Sequence, residues 1–242
     1  MLHFQVMKYS KILIFLLFLF CMVSYAYHHQ FLNLQNAEQL YARQLASSIN
    51  HSFLGEPLKS NGLLGQDTGA NVGYGFKLGL GANQVLSYFS SSSYSQSSLM
   101  YKISKNIKND FWMGSSIYFD TLTLSNNKSN TISYTIFGGY VSETLDVLIN
   151  TTYKDYFSSF QFGFGLAWQA ISKTKLFIEY LTPIESYASK GVLTSGVKVM
   201  TFGHNFYLFL SNQNDIGFIP GTSGANSDQF YTGFKIERIF DF

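Results

Sequence analysis

The chain has 242 residues, of which 18% are aromatic and only 12% are charged, and its formal net charge is +2. Soluble domains usually have about twice this charged fraction, so the apolar residues need a cover other than a charged surface. Without Lys8 and Lys11, which precede a predicted cleavage site, 14 basic residues balance 14 acidic ones. This balance argues against a basic surface for nucleic acid.

Residues 1–26 have the three parts of a secretory signal peptide. Two lysines precede an apolar run at residues 12–23, and Ser24, Tyr25 and Ala26 end the segment with small residues at the outer positions. We predict cleavage after Ala26, because the apolar run is too short for a membrane anchor. The one cysteine, Cys21, is removed with this segment. The exported chain then has no disulfide, thiolate metal site or cysteine nucleophile.

Residues 27–39 are polar and show no regular period. They are expected to form either a flexible lead-in or a short plug. His28 and His29 are adjacent there, but a histidine pair near a terminus is more typical of solvated side chains than of a metal site. We therefore predict no metal ligand and no cofactor in this segment.

From residue 40 onward, apolar residues recur at every second position, which is the period of a β-strand. The clearest example has Phe160, Phe162 and Phe164 alternating with Gln161 and glycines. The pattern predicts twelve strands at about residues 40–53, 71–77, 84–90, 99–103, 111–119, 132–140, 145–154, 159–169, 175–181, 192–200, 205–211 and 230–242. Loops are expected at 54–69, 122–130, 182–191 and 212–228.

An even number of strands, with short and long connections in alternation, is typical of bacterial outer-membrane barrels. Closure of the sheet pairs every backbone polar group, as a bilayer requires. The apolar face of each strand then contacts lipid and the other face lines a lumen. We therefore predict an all-β transmembrane antiparallel barrel over residues 40–242, closed by pairing of the first and last strands, in the bacterial outer membrane.

The polar face of the strands supplies candidates for the lumen wall. Both signs of charge are present, which argues against strong charge selectivity. About twelve strands allow either a narrow pore or a plugged one, and residues 54–69 or 212–228 are long enough to fold inward. The predicted lumen-lining residues are Gln44, Asn71, Gln161, Lys175, Glu179, Lys198, Lys235 and Glu237.

The last strand ends on Phe242, with Phe234, Ile236 and Phe240 in the same register. This ending resembles the terminal signal recognised by the barrel-assembly machinery, which is therefore an expected partner together with outer-membrane lipid. Arg238 departs from the pattern and is expected near an interface, where long basic side chains can reach water.

Four stretches resemble an uncharacterised family of bacterial outer-membrane β-barrel proteins. They read INHSFLGEP, LLGQDTGANVGYGFKLGLGANQVLSYFSS, TFGHNFYLFLSNQ and GFKIERIF. The resemblance extends over most of the exported chain and is clearest at residues 49–91 and 201–242. It implies a barrel in the outer membrane, and it implies no particular activity.

No catalytic arrangement is predicted. His51 is adjacent to Ser52, and neighbouring residues of a strand point to opposite faces, so they cannot form a nucleophile–base pair. His204 lies in a predicted turn, and the glycines lack the spacing of a phosphate-binding loop. The expected function is a narrow channel or a barrel that binds or transports a small solute. The alternative is a closed barrel with a structural or partner-binding role.

Overall fold

The computed structural model describes residues 32–35, 40–55, 57, 63–124, 127–219, 221–225 and 228–242. The predicted signal peptide, and His28 and His29, lie outside these residues. Twelve strands form in the described part of the chain. They are β1 (Gln44–Phe53), β2 (Ala70–Gly81), β3 (Gln84–Ser91), β4 (Ser97–Lys108), β5 (Phe111–Leu124), β6 (Asn127–Val141), β7 (Leu145–Lys154), β8 (Ser159–Ile171), β9 (Thr174–Leu181), β10 (Val192–Thr201), β11 (His204–Ser211) and β12 (Tyr231–Asp241).

The sheet closes on itself, because β1 pairs with both β2 and β12. Every neighbouring pair is antiparallel, and sequential strands lie side by side around the barrel. At the seam, Ile49 lies opposite Ile236 and Asn50 opposite Lys235. Closure leaves no edge strand in the sheet, because every strand has a neighbour on both sides. The predicted twelve-stranded antiparallel barrel is confirmed.

The connections differ in length between the two ends of the barrel. At the turn end, five turns of two or three residues join the strand pairs, and β1 begins and β12 ends there. Ala82 and Asn83 form one of these turns with positive φ angles of 49° and 65°, the geometry that favours tight hairpins. The loop end holds the longer connections 54–69, 182–191 and 212–230 and three 3₁₀ helices, Leu63–Thr68, Ser93–Ser95 and Asp155–Phe157.

Several strands are longer than the hydrophobic pattern predicts. The predicted loop at 122–130 is wrong, because the β5–β6 ladder runs on to the pair Leu124 and Asn127. Likewise, β2 continues to Gly81 and β4 to Lys108. Backbone hydrogen bonds continue the ladder whatever the side chains are, so polar residues can extend a strand beyond its apolar section. Conversely, β1 begins only at Gln44, after a turn in which Arg43 has a φ of 70°.

Large apolar side chains cover the outside of the barrel. Ile136 and Phe160 are both 64% exposed, and Phe162 is 56% exposed. Similar side chains from every strand form a continuous band, far more than the few hundred Å² that soluble monomers usually expose. None of the helices in the described residues is long and apolar enough to cross a bilayer. Whatever covers this surface must be apolar.

Candidate functional site

The barrel lumen is the candidate site, because the polar side chains of the strands meet there. All eight predicted lumen residues lie in the inward register of their strands. Seven are buried, and Asn71 is half-buried, where its Nδ2 donates to the carbonyl of Asn214 at 2.9 Å. The seven buried residues are Gln44, Gln161, Lys175, Glu179, Lys198, Lys235 and Glu237.

Aromatic rings also line the lumen, which the alternation of apolar and polar residues did not predict. Phe137 lies opposite Gly114 and Phe209 lies opposite Gly233 on the neighbouring strand. A Cβ atom on either glycine would lie 2.3 Å from the Cζ atom of the facing ring. These glycines therefore make room for rings that fill the interior. The sequence does contain a signal for these inward rings, because both phenylalanines lie in the polar register of their strands.

An ion pair connects two strands of the lumen wall near the turn end. Lys175 Nζ lies 2.9 Å from Asp146 Oδ2 and donates to the carbonyl of Ser142 at 3.1 Å. Asp146 Oδ1 accepts the backbone N–H of Ser142 at 3.1 Å. Both members of the ion pair are almost completely buried. The pair thus ties β7 and β9, which are not neighbours in the sheet, across β8.

A second ionic group surrounds Glu237. Its carboxylate lies 3.4 Å from Lys77 Nζ and 3.8 Å from Lys235 Nζ, and it accepts from Asn205 Nδ2 at 3.3 Å. Lys235 also lies over the ring of Tyr207, 5.2 Å from its centroid. Lysines of the wall are therefore held by carboxylates and by an aromatic face.

The described residues of the 212–230 loop turn into the loop end of the lumen. Ile216 is buried, its backbone N–H donates to Ser93 Oγ at 2.9 Å, and its carbonyl accepts from Ser91 Oγ at 2.7 Å. Phe218 stacks on Tyr118 with 3.7 Å between ring centroids. The loop is thus attached to β3, the 92–96 loop and β5. Of the two loops predicted as able to fold inward, this one does.

Lys154, on β7, binds the same loop from another part of the wall. Its Nζ donates to Thr222 Oγ1 at 2.6 Å and to Ser223 Oγ at 2.9 Å. The lysine side chain is among the largest that are fully buried. Lys154 is not among the predicted lumen-lining residues, because a single lysine at a strand end belongs to no recognisable motif.

The described part of the 54–69 loop is tied to itself and to β12. Leu54 N–H donates to the carbonyl of Gly69 at 3.0 Å and Gly55 N–H to that of Gly65 at 3.2 Å. Thr232 Oγ1 donates to the carbonyl of Leu64. None of its described residues lines the lumen cavity.

Residues 32–35 lie inside the barrel, far in sequence from Glu179 and Thr194, to which they are hydrogen-bonded. The carboxylate of Glu179 accepts the backbone N–H groups of Leu32 and Asn33, the latter at 2.8 Å. Leu34 is 5% exposed and packs in the largest buried apolar cluster, which includes Phe137, Leu148, Ala167, Phe177 and Leu181. Part of the segment predicted as a lead-in or a plug therefore occupies the lumen.

A cavity of about 180 Å³ remains between these elements. Its lining combines hydroxyl and amide groups of Ser48, Asn50 and Ser98 with the lysines Lys77 and Lys102. The 32–35 segment and the 212–230 loop supply part of its boundary. The site thus offers hydrogen-bond donors and acceptors and positive charge to a small polar molecule.

The histidines of the described strands lie away from this cavity. His51 stacks on Phe234 on the outer side, with 4.6 Å between ring centroids, whereas Ser52 is buried in the inward register. The two side chains therefore point to opposite faces. Within the described residues, no group of three or more histidine, cysteine, aspartate or glutamate side chains could hold a metal ion.

The residues of the predicted assembly signal lie on the outer side of β12. Phe234, Ile236 and Phe240 share the outward register, and Phe242 is largely exposed. Arg238 is in this register too, with its guanidinium 4.9 Å from the centroid of the Phe240 ring. Recognition of this strand by the assembly machinery remains a prediction.

No family model matches the chain, and no curated protein matches its sequence. Solved structures of porins share its fold. The KdgM porin superposes with a TM-score of 0.53 at 9% identity, covering 81% of this chain and 99% of the porin. The KdgM porin in complex with disordered oligogalacturonate gives 0.54 at 9% identity, with the same coverage. The NanC porin gives 0.52 at 7% identity over 81% of this chain and 99% of its own. The chain therefore has the fold of a porin barrel.

Proposed function

We propose that this protein is a transmembrane barrel of the bacterial outer membrane that binds or passes a small polar solute through a narrow lumen. The support for membrane insertion is the continuous outer band of exposed apolar side chains on a closed sheet. Lipid can cover this apolar surface, and closure of the sheet gives the backbone N–H and C=O groups hydrogen-bond partners. The predicted signal peptide and terminal aromatic strand provide a route for export and assembly.

The observation that carries the solute proposal is the cavity of about 180 Å³, whose wall combines apolar side chains such as Phe89 and Met100 with hydroxyl, amide and lysine groups. Side chains just fill the interior of an eight-stranded barrel, whereas twelve strands enclose a wider interior, and part of it stays open here. Hydroxyls, amides and lysines that converge on one space can replace the water shell of a hydroxylated or acidic solute. The wall carries both signs of charge, so we propose modest charge selectivity.

Acidic sugars are suitable test solutes. A solved structure of the KdgM porin, which has the same fold, is a complex with disordered oligogalacturonate, and Lys77 and Lys102 line the present cavity. We propose comparing galacturonate with a neutral sugar of similar size in liposome-swelling and planar-bilayer measurements. Absence of conductance and of sugar entry for the folded protein would contradict passage through the lumen.

Ser47 and Ser48 provide a matched pair for this measurement. They are neighbours on β1, so their side chains point to opposite faces, and only Ser48 lines the cavity. We expect S48F to reduce solute entry by filling the cavity and S47F to leave it unchanged, because its ring lies on the outer surface. Equal effects of the two substitutions would indicate that the lumen is not the path.

A closed barrel with a partner-binding role is the second candidate function. The observation that favours it is the inward position of the 212–230 loop, with Ile216 and Phe218 packed in the loop end of the lumen. In this case trimming residues 212–228 should abolish the capture of a stoichiometric partner.

We also propose membership in the uncharacterised outer-membrane family that the sequence resembles.

A further inference from the structure

We propose that residues 32–35 are a plug docked at a specific site in the barrel wall, and that Glu179 is the positioning residue that holds it there. This inference rests on the proposed function, because a plug matters only where the lumen carries a solute. It assigns a role to a fully buried carboxylate and to a short segment that precedes the barrel.

The first step concerns the buried charge. Glu179 has no exposed surface, and a buried carboxylate is costly unless hydrogen bonds replace its water shell. The two consecutive backbone N–H groups of Leu32 and Asn33 point at its two oxygens. Such bonds to a charged acceptor are roughly twice as strong as neutral ones. The carboxylate and the segment therefore stabilise each other.

The second step concerns the side chains of the segment. Asn33 Nδ2 donates to Thr194 Oγ1 at 3.2 Å, and the Thr194 hydroxyl donates in turn to Ser211 Oγ at 2.9 Å. Backbone bonds alone would hold any sequence, whereas the asparagine contact depends on this side chain. The contact extends the site from β9 to β10 and β11.

The third step concerns the place of Leu34. A Cβ atom on Gly163 would lie 2.5 Å from Leu34 Cδ2, whereas its next contacts, to Asn150 and Leu181, would be at 3.6 and 3.7 Å. Gly163 thus leaves a space in the wall that the leucine fills. Glu179, Thr194 and Gly163 together form a receptor for this segment, with polar and apolar parts.

The open cross-section of the lumen therefore depends on the position of this segment. Leu32, Asn33 and Leu34 line the remaining cavity, so their departure would widen it. The described residues of the segment contact the wall through a few hydrogen bonds and two leucines, Leu32 and Leu34, a contact small enough to break without unfolding the barrel. We infer that release of residues 32–35 opens the solute path.

The test uses Q35C, which leaves Leu34 in place, in a chain that begins at Tyr27; this chain lacks Cys21 and therefore has a single thiol. Reaction of this thiol with a bulky maleimide in the folded, membrane-inserted barrel reports the docked fraction. We compare Q35C alone with Q35C carrying E179Q, which keeps the volume but loses one acceptor oxygen, and with Q35C carrying G163A, whose added Cβ atom overlaps Leu34 Cδ2. Loss of a bond to a charged acceptor should speed labelling by about tenfold or more.

Gly138→Ala is the matched control for G163A. Gly138 lies in a strand and faces outward, and a Cβ atom there would meet Trp112 O and Met113 Cγ at the ordinary distances of 3.5 and 3.6 Å. This control should leave labelling and conductance unchanged. Heat-dependent mobility on gels shows that each variant is a folded barrel.

Faster labelling together with larger conductance in E179Q and G163A would support the plug. Unchanged labelling in both folded variants would overturn it. Conductance that is the same in wild type and variants, despite faster labelling, would overturn the claim that the segment limits passage. Faster labelling without any conductance or sugar entry would support docking at Glu179 and contradict the proposed passage function.

Discussion

Replacement of Lys154 by methionine should release the 212–230 loop from the lumen while the barrel stays folded. The ammonium group donates to Thr222 Oγ1 and Ser223 Oγ in the loop, and methionine has nearly the same volume without the donors. The barrel itself is held by twelve closed strand pairings. The substitution therefore acts on the position of the loop rather than on the sheet.

The magnitude follows from these two bonds. A hydrogen bond from a charged donor contributes roughly 1.5–3 kcal/mol. The loop hydroxyls keep other acceptors, since Thr222 Oγ1 also donates to the carbonyl of Phe218 and Ser223 Oγ to that of Ile219. The total loss for the two bonds is therefore at the lower end, about 3 kcal/mol, which corresponds to an increase of about 150-fold in the undocked fraction.

Limited proteolysis with chymotrypsin measures this fraction, because the loop contains Phe218 and ends at Phe230. We expect cleavage at Phe218 to be faster in K154M than in wild type, while the heat-dependent gel mobility of the barrel is retained. K128M is the control, since Lys128 is exposed at the loop end. Cleavage of K154M at the rate of the control would refute the role of Lys154 as the anchor of the loop.

Two further substitutions and one deletion test other parts of the structure. F162R places a charge on the outer apolar band and should lower the free energy of unfolding from lipid vesicles by about 2–4 kcal/mol; no loss would mean that this face does not contact lipid. D146A leaves Lys175 buried without its carboxylate and should cost about 3–5 kcal/mol in urea unfolding, whereas a loss below about 1 kcal/mol would show that the pair is hydrated. Deletion of Phe242 should reduce insertion into the outer membrane of cells, and normal insertion of the truncated chain would contradict the assembly signal.

Sequence patterns predicted the strands well, because each strand has two different environments and therefore a period of two. The run from Phe160 to Trp168 shows both faces, and β8 contains it whole. Predicted strand ends were less accurate, as at residues 122–130, because backbone pairing continues where the hydrophobic signal stops.

The interior was harder to predict. The inward register of Glu179 and Lys235 follows from alternation, but their partners do not. Glu179 binds backbone groups 146 and 147 residues earlier, and Lys154 binds hydroxyls 68 and 69 residues later. Such contacts leave no periodic trace in the sequence.

The sequence by itself thus determined a closed twelve-stranded barrel with an apolar outside, because alternation and turn spacing are local properties of the chain. Only the tertiary structure decided what occupies the lumen. Residues 32–35 and 212–230 have no period of their own, and their positions depend on distant groups such as Glu179, Lys154 and Gly163. The physical reason is that a lumen is defined by side chains from all strands at once, and these meet only when the sheet has closed.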